Sequence, residues 1–169
     1  MEPREMAATL RAMGRTIEAE VLGLPLEAVR WHPAEGEWCV LEALGHLIEC
    51  ERRAFGGRIR QILSTPGQAE LQTWDPAEVA RARRDCHRRP GELVAEFLEL
   101  REAGAKMAEE LRPEELTRGG SHPGVGVLTV NDLLHEWIHH DRNHVKQMFT
   151  NVQEYVWPDM GTAQRFTSG

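Results

Sequence analysis

The residues with the clearest capacity for chemistry lie within one segment that reads LLHEWIHHDRNHVKQM. This segment holds four of the chain's eight histidines, His135, His139, His140 and His144. Because residues four apart on a helix lie one above the other, either of two pairs could hold a metal ion. One pair is His140 with His144. The other is His135 with His139, which together with Glu136 forms the H-E-x-x-H pattern typical of zinc proteases.

The apolar spacing around these histidines indicates which pair lies nearer the core. With residues placed at about 100° intervals, one apolar arc should face the interior. It consists of Val130, Leu134, Trp137, Ile138, Val145, Met148 and Phe149. His140 and His144 fall on one flank of this arc, whereas His135 and His139 fall on the opposite flank and Glu136 points away from the core. The H-E-x-x-H pair is therefore the poorer candidate, and neither a third ligand nor a substrate-binding strand is evident for a zinc protease.

A further histidine lies at the edge of the apolar arc of a predicted second helix, which runs from about Trp38 to Leu63. Taken alone, His46 in this position more often makes a simple hydrogen bond. Beside a flanking H-x3-H on another long helix, however, His46 can converge with His140 and His144 on one ion. Cys50, one turn after His46, is either a soft metal ligand or a small buried apolar residue.

Three neutral imidazoles leave open positions on a divalent ion for water and substrate, as in catalytic rather than structural sites. Zinc and nickel suit three histidines best, with iron and manganese as alternatives. A metal-bound water or thiolate would be the reactive species, and the reaction would be hydrolysis or thiol transfer. Asp141 and Gln147 are candidates to accept the other N–H of a ligating imidazole, although Asp141 points more into the apolar arc than at the ion.

Rival catalytic patterns are absent or incomplete. A di-iron bundle needs an E-x-x-H motif on each of two helices, and only Glu136 to His139 fits. No G-x-S-x-G elbow is present. The glycine-rich stretch 119–126 lacks the Lys-Ser/Thr of a phosphate-binding loop and is expected to be a flexible connection or a lid.

The composition suits one domain over residues 1–169, because 169 residues that are 41% apolar can build a single core. A net charge of −7 argues against general affinity for nucleic acid or an anionic membrane. The sequence contains neither a membrane span nor a signal peptide, and we expect a cytoplasmic protein.

Three cysteines without a C-x-x-C pair fit free thiols in a reducing compartment. The basic run Arg81–Arg89 is typical of a solvated surface, with binding of an acidic group as the minority interpretation.

The order of apolar and helix-breaking residues predicts an all-α four-helix bundle without strand pairs. Its helices are predicted from Pro3 to about Gly23, from about Trp38 to Leu63, from Pro90 to Pro113, and from Thr129 past Phe149 towards Pro158. Thr129 and Asp132 resemble a capping box at the start of the fourth helix. The apolar tail from Tyr155 to Phe166 should pack on the bundle or on a second subunit.

Two segments carry a family resemblance, the stretch EWCVLEALGHL at residues 37–47 and HDRNHVKQ at residues 140–147. Together they resemble the DinB/YfiT-like superfamily of small bacterial four-helix-bundle metalloproteins. The resemblance implies that His46, His140 and His144 are the metal ligands. It also implies a small-molecule substrate, a homodimer, and S-transferase or isomerase chemistry with a low-molecular-weight thiol such as bacillithiol or mycothiol. A non-catalytic metal-binding stress protein is the alternative, and the H-E-x-x-H zinc protease is a weaker one.

Overall fold

The structure, a computed structural model, describes residues 1–167. Long helices dominate it, and the predicted all-α four-helix bundle is confirmed. The helices are α1 (Pro3–Gly23), α2 (Leu26–Arg30), α3 (Val40–Glu49), α4 (Gly56–Ser64), α5 (Pro76–Arg83), α6 (Pro90–Glu109), α7 (Pro113–Leu116) and α8 (Val130–Val156). The four members of the bundle are α1, the α3 to α4 segment, α6 and α8. No described helix is both long enough and apolar enough to cross a membrane.

The predicted continuous second helix is wrong in its middle. Helix α3 ends at Glu49, a π-helical turn spans Cys50–Ala54, and α4 begins only at Gly56. At the junction, the amide of Phe55 donates to the carbonyl of Cys50 at 2.9 Å, five residues back. Apolar residues recur on the core side throughout this stretch, so their spacing alone does not reveal the extra residue in the turn.

The expectation of no strand pairs is also wrong. Strands β1 (Ala69–Glu70), β2 (Gly119–His122) and β3 (Gly126–Thr129) form a small sheet in the order β1-β2-β3, with β1 parallel to β2 and β2 antiparallel to β3. The glycine-rich stretch 119–126, expected to be a flexible connection or a lid, is part of a hairpin. Arg118 fastens this hairpin to the end of α4 by donating to the carbonyls of Ile62 and Thr65 at 2.7 and 2.8 Å.

Helix α8 begins as predicted. The amide of Asp132 donates to Thr129 Oγ1 at 3.1 Å, and the amide of Thr129 donates to the Asp132 carboxylate at 2.9 Å. This capping box satisfies two otherwise unpaired donors at the helix start. The buried face of α8 is rotated from the predicted arc, because Phe149 is 41% exposed whereas Leu133 is fully buried. The rotation brings the His140 and His144 flank closer to the core.

A buried ion cluster joins three parts of the bundle. The Arg101 guanidinium of α6 donates to Glu51 Oε1 of the π-helical turn at 2.6 and 3.0 Å, and to the Asp141 carboxylate of α8 at 2.5 and 2.9 Å. Trp137 Nε1 donates to the same Glu51 oxygen at 2.9 Å. Burial raises the pKa of both carboxyl groups, that of Glu51 to about 7. The guanidinium of Arg101 therefore pairs with both buried carboxyl groups, those of Glu51 and Asp141.

The basic run 81–89 is less solvated than predicted. Arg83 pairs with Asp85 and with Glu49, and Arg88 pairs with Glu96 at 2.8 Å. Arg81, Arg84 and Arg89 remain exposed. Much of the positive charge is therefore matched within the fold.

The tail contacts the bundle at its beginning, where the ring of Tyr155 meets that of Trp31 edge-on at 6.0 Å. It forms 3-10 turns over Trp157–Phe166, none of whose residues is buried, and Phe166 is 91% exposed. Packing on a second subunit stays a prediction.

Candidate metal centre

Three histidine rings meet between α3 and α8. His46 comes from α3, and His140 and His144 come from consecutive turns of α8. Each offers a ring nitrogen within 4.8 Å of the other two, and Nε2 of His46 lies 3.2 Å from Nε2 of His140. His46 is only 8% exposed, while the other two rings are half-buried. The structure thus brings together the three residues selected from the sequence.

One of these imidazoles has its orientation fixed by a neighbour on the same helix. Oε1 of Gln147 lies 2.9 Å from Nδ1 of His144. Since an amide oxygen only accepts, Nδ1 carries the proton and Nε2 keeps its lone pair. Gln147 therefore occupies the position expected of a group that orients a ligand.

The surroundings keep all three rings neutral. Burial, reinforced by the neighbouring histidines, lowers the pKa of His46 to about 3 and that of His140 to about 4. Burial also lowers the pKa of His144, although its bond to Gln147 acts in the opposite direction. Neutral imidazole is the form that binds metal, so the cluster is in its ligating state at neutral pH.

The donor set fits a divalent ion. Metal–nitrogen bonds of about 2.0–2.1 Å in a tetrahedral site separate the nitrogens by about 3.3 Å, close to the distance between the Nε2 atoms of His46 and His140. Nδ1 of His46 and Nδ1 of His140 are buried and lack a hydrogen-bond partner within residues 1–167. With its Nδ1 bonded to Gln147, His144 is the most firmly oriented of the three rings.

Aromatic side chains surround the histidine cluster. The ring of Trp38 lies 4.9 Å from that of His46 and 6.3 Å from that of His144. Trp74 stacks on His46 at 5.7 Å, and Phe55 meets His140 edge-on at 5.3 Å. The sequence did not mark Trp38, Trp74 or Phe55 as part of the site. No motif marks these residues, because loops and the π-helical turn bring them to the site.

Cys50 lies close enough to join the donors. Its sulfur is 3.4 Å from Nε2 of His46 and 3.9 Å from Nε2 of His140. The side chain is also buried, and burial raises the pKa of its thiol. The structure is therefore compatible with both interpretations, a soft ligand and a small buried residue.

Asp141 has a different partner from the one considered for it. Its carboxylate is bonded to Arg101 rather than to an imidazole. Arg101 itself was missed, although it lies four residues after the buried Phe97 and three before the buried Gly104, on the core side of α6. That position is the signal that could have identified it as a buried charge.

The H-E-x-x-H residues lie on the solvent side of α8. His135, Glu136 and His139 are all exposed. Nδ1 of His135 bonds to the backbone carbonyl of Asn131 at 2.8 Å, one turn earlier. Within the described chain, no group of three or more potential ligands includes either histidine, so this geometry does not resemble a zinc-protease site.

Solved structures share this architecture. YfiT from Bacillus subtilis, described as a probable metal-dependent hydrolase with an unusual four-helix bundle topology, superposes with a TM-score of 0.80 at 14% identity, over 90% of this chain and 87% of its own. A conserved protein from Enterococcus faecalis superposes with a TM-score of 0.63 at 14% identity, over 91% and 97% of the two chains. At these identities the likeness is evidence for the fold.

No curated protein sequence matches the chain significantly. Family membership rests instead on the sequence from residue 9 to residue 148, which matches the DinB superfamily over most of the chain. The matched region includes all three histidines of the cluster. This chain belongs to the DinB superfamily.

Proposed function

We propose that the protein is a metal-dependent enzyme that binds one divalent ion through His46, His140 and His144 and catalyses hydrolysis of a small molecule. The observation that carries this proposal is the convergence of three neutral ring nitrogens in a half-buried position. Three nitrogen ligands leave coordination positions open, as in catalytic sites. Zinc and nickel are the ions we expect first, because imidazole suits both.

A divalent ion held there would lower the pKa of a coordinated water or thiol and so supply a nucleophile near neutral pH. The chain's own residues prepare the site for this chemistry. Gln147 holds the His144 ring by its Nδ1 proton. Trp38 and Trp74 cover the His46 ring and exclude water from that side, which strengthens electrostatic interactions within the site.

A cleft beside the cluster suits a small-molecule substrate. It has a volume of about 480 Å³ and is lined by Pro33, Asn143, Lys146 and Gln147 among others. Volumes of this size hold ligands of a few hundred daltons. Gln147 lines this cleft and also bonds to His144, so this one side chain connects the cleft with the cluster, whose histidines do not line the cleft themselves.

Hydrolysis is favoured by the description of YfiT as a probable metal-dependent hydrolase, on a fold that this chain shares. Transfer of a low-molecular-weight thiol is the second reaction we consider, since the same ion would activate a thiol as it would water. Purified protein should be assayed with ester and amide substrates in parallel with thiol conjugation. Dependence of either activity on added metal identifies the reaction.

Metal content provides the first test. Protein purified without chelator or histidine tag should carry metal, and His144→Ala should hold about one ion per chain fewer than wild type. His139→Ala is the matched control, because His139 lies on the same helix but on its exposed side. If wild type holds no metal and takes up none on dialysis against Zn²⁺ or Ni²⁺, the enzymatic proposal fails.

A non-catalytic metal-binding protein is the alternative, and the position of Cys50 is the observation that favours it. Its sulfur lies close to two ring nitrogens, and as a fourth ligand it would close the coordination sphere. Replacement of the native ion with Co²⁺ separates the two cases. In a Cys39→Ser/Cys86→Ser background, where Cys50 is the one remaining cysteine of the chain, a thiolate-to-cobalt absorption that disappears in Cys50→Ala supports the closed site, whereas its absence from the background protein supports the open one.

We also propose a homodimer. Large apolar side chains remain exposed near the end of α8 and in the tail, namely Phe149, Val156, Trp157 and Phe166. Exposed apolar side chains of this size favour contact with another protein surface. Sedimentation equilibrium of wild type and of Trp157→Ser tests this, with dissociation of the variant as the expected result.

A further inference from the structure

A second group of metal-binding side chains lies outside the histidine cluster, at the start of α3. His32, Cys39 and Cys86 each place one donor atom within 4.8 Å of the other two. Cys39 is fully buried, Cys86 is half-buried and His32 is exposed. We propose that these three residues form a second metal site, which takes a thiol-seeking divalent ion such as Zn²⁺ or Cd²⁺.

The donor types fit such an ion. Two sulfurs and one imidazole nitrogen are a frequent ligand set for zinc, and the sulfurs favour softer ions over magnesium or calcium. Binding would release two protons to solvent, one from each thiol. Two thiolates then balance the charge of the ion, so the complex is neutral and can remain partly buried.

His32 is held by a carboxylate. Nε2 of His32 lies 2.9 Å from Oε2 of Glu42, which also accepts the backbone N–H of Cys39 at 3.0 Å. A carboxylate that accepts one ring N–H fixes the tautomer and makes the other nitrogen a better ligand. With Nε2–H committed to Glu42, Nδ1 is the nitrogen with a free lone pair.

Cys39 occupies the residue before the first turn of α3. The backbone N–H of Glu42 faces its sulfur, as in a capping box. The amino end of a helix favours negative charge, whereas burial raises the pKa of the Cys39 thiol, so its proton would leave only when an ion binds.

Cys86 is held by a short turn that the rest of the fold fixes. It lies in the 3-10 turn Asp85–His87, and its sulfur is 3.7 Å from the carbonyl oxygen of Arg30. Asp85 anchors this turn through two bonds to Arg83, at 2.5 and 3.1 Å. The three ligands therefore come from three separate segments whose positions do not depend on the ion.

An ion could reach this group from solvent. A cavity of about 290 Å³ is lined by His32, Trp38 and Glu42 among others, which gives an entry path on the exposed side of His32. The same loop carries Trp38, whose ring contacts His46 and His144. Occupancy of the second site would thus hold in place one wall of the histidine cluster.

The test isolates the proposed site from the first one. The chain has three cysteines, so a His140→Ala/Cys50→Ala variant keeps only the thiols of Cys39 and Cys86 and weakens the histidine cluster. Titration of this variant with Cd²⁺, under a reductant that contains no thiol, should saturate at one ion per chain with thiolate-to-cadmium ultraviolet absorption. Adding Cys86→Ser should remove the absorption, and adding His32→Asn should weaken Cd²⁺ binding by about tenfold or more.

Several outcomes overturn the proposal. They are a lack of absorption in the starting variant, absorption that survives Cys86→Ser, and saturation at half an ion per chain, which indicates thiols shared between molecules. Recovery of Cys39 and Cys86 as a disulfide that excludes Cd²⁺ would count equally against it. Circular dichroism establishes that each variant is folded, and His32→Asn changes only an exposed side chain, so it remains informative if a cysteine variant unfolds.

Discussion

Gln147 Oε1 accepts the Nδ1 proton of His144 across 2.9 Å, one turn along the same helix. This bond leaves Nε2 of His144 with the lone pair that could bind an ion shared with His46 and His140. His144 is the one member of the cluster whose second nitrogen has a side-chain partner within residues 1–167. Its orientation therefore depends on Gln147 more directly than on packing.

We predict that Gln147→Leu lowers metal affinity by about 10- to 100-fold, because the His144 ring loses the bond that sets its tautomer. Competition with a coloured chelator measures the affinity. Gln153→Leu is the matched control, since Gln153 lies on the exposed face of α8 and should leave affinity unchanged. Equal affinity in wild type and Gln147→Leu would show that packing alone orients the ring.

Arg101→Met should destabilise the fold by about 3–5 kcal/mol, because it leaves the carboxylates of Glu51 and Asp141 buried without their cation. Urea denaturation with chelator present measures this effect apart from metal binding. Arg112→Met serves as a control, since the Arg112 pairs with Glu114 and Glu115 lie at the surface and its loss should leave the midpoint in place. A small effect of Arg101→Met would mean that the two acids take up protons instead.

Gly45→Ala should destabilise the protein by about 1–3 kcal/mol, because its Cβ would overlap the carboxylate of Asp85. Since Asp85 anchors the turn that carries Cys86, Cd²⁺ binding at the proposed second site should weaken as well. Gly91→Ala, where a Cβ meets open space, should be neutral or slightly stabilising. Thermal unfolding of the three proteins checks the order, and equal melting temperatures would contradict it.

The dependence of stability on pH should carry a contribution from Glu51. Burial raises the pKa of this carboxyl to about 7, against about 4.3 in an unfolded chain. Between these values the folded protein binds more protons than the unfolded one, so the Glu51 contribution to stability falls as pH rises from about 4.3 to 7. The glutamine side chain of Glu51→Gln does not titrate, so this variant does not lose that contribution to stability as pH rises.

The stability of Glu51→Gln relative to wild type should therefore improve between pH 5 and pH 8, by an amount on the order of a few kcal/mol. Urea midpoints of both proteins, with chelator present, give this difference. The histidines are common to both proteins, so their titration cancels, and the difference reports Glu51 together with its coupled partner Asp141. A difference that stays constant across the range would show that Arg101 keeps Glu51 ionised throughout.

The helix limits were largely predictable because they depend on local chemistry. Pro3 and Pro90 lie in first turns, and Thr129 with Asp132 caps α8 where the sequence indicates. The π-helical turn escaped prediction because the extra residue changes backbone hydrogen bonds while apolar residues still recur on the core side. The short strands could not be predicted either, because the glycines of 119–126 carry no alternating apolar pattern. The sheet depends on backbone hydrogen bonds between distant segments.

The convergence of His46, His140 and His144 followed from two helical spacings and the family resemblance. The residues that surround these three histidines could not be predicted in the same way. Trp74 and Phe55 reach the rings from a loop and from the π-helical junction, and Arg101 breaks the rule that buried helix positions are apolar. Likewise, no spacing rule links His32, Cys39 and Cys86, because only the fold brings Cys86 to the start of α3.

His46 and His140 are separated by 94 positions in the sequence, although their Nε2 atoms are 3.2 Å apart. An ion bound to both would act as a reversible cross-link that closes a loop of that length. Loops of this size are entropically costly to close, so the ion can bind well only after most of the chain has folded. Metal uptake would then report late folding, and a chain interrupted before α8 would be unable to retain the ion.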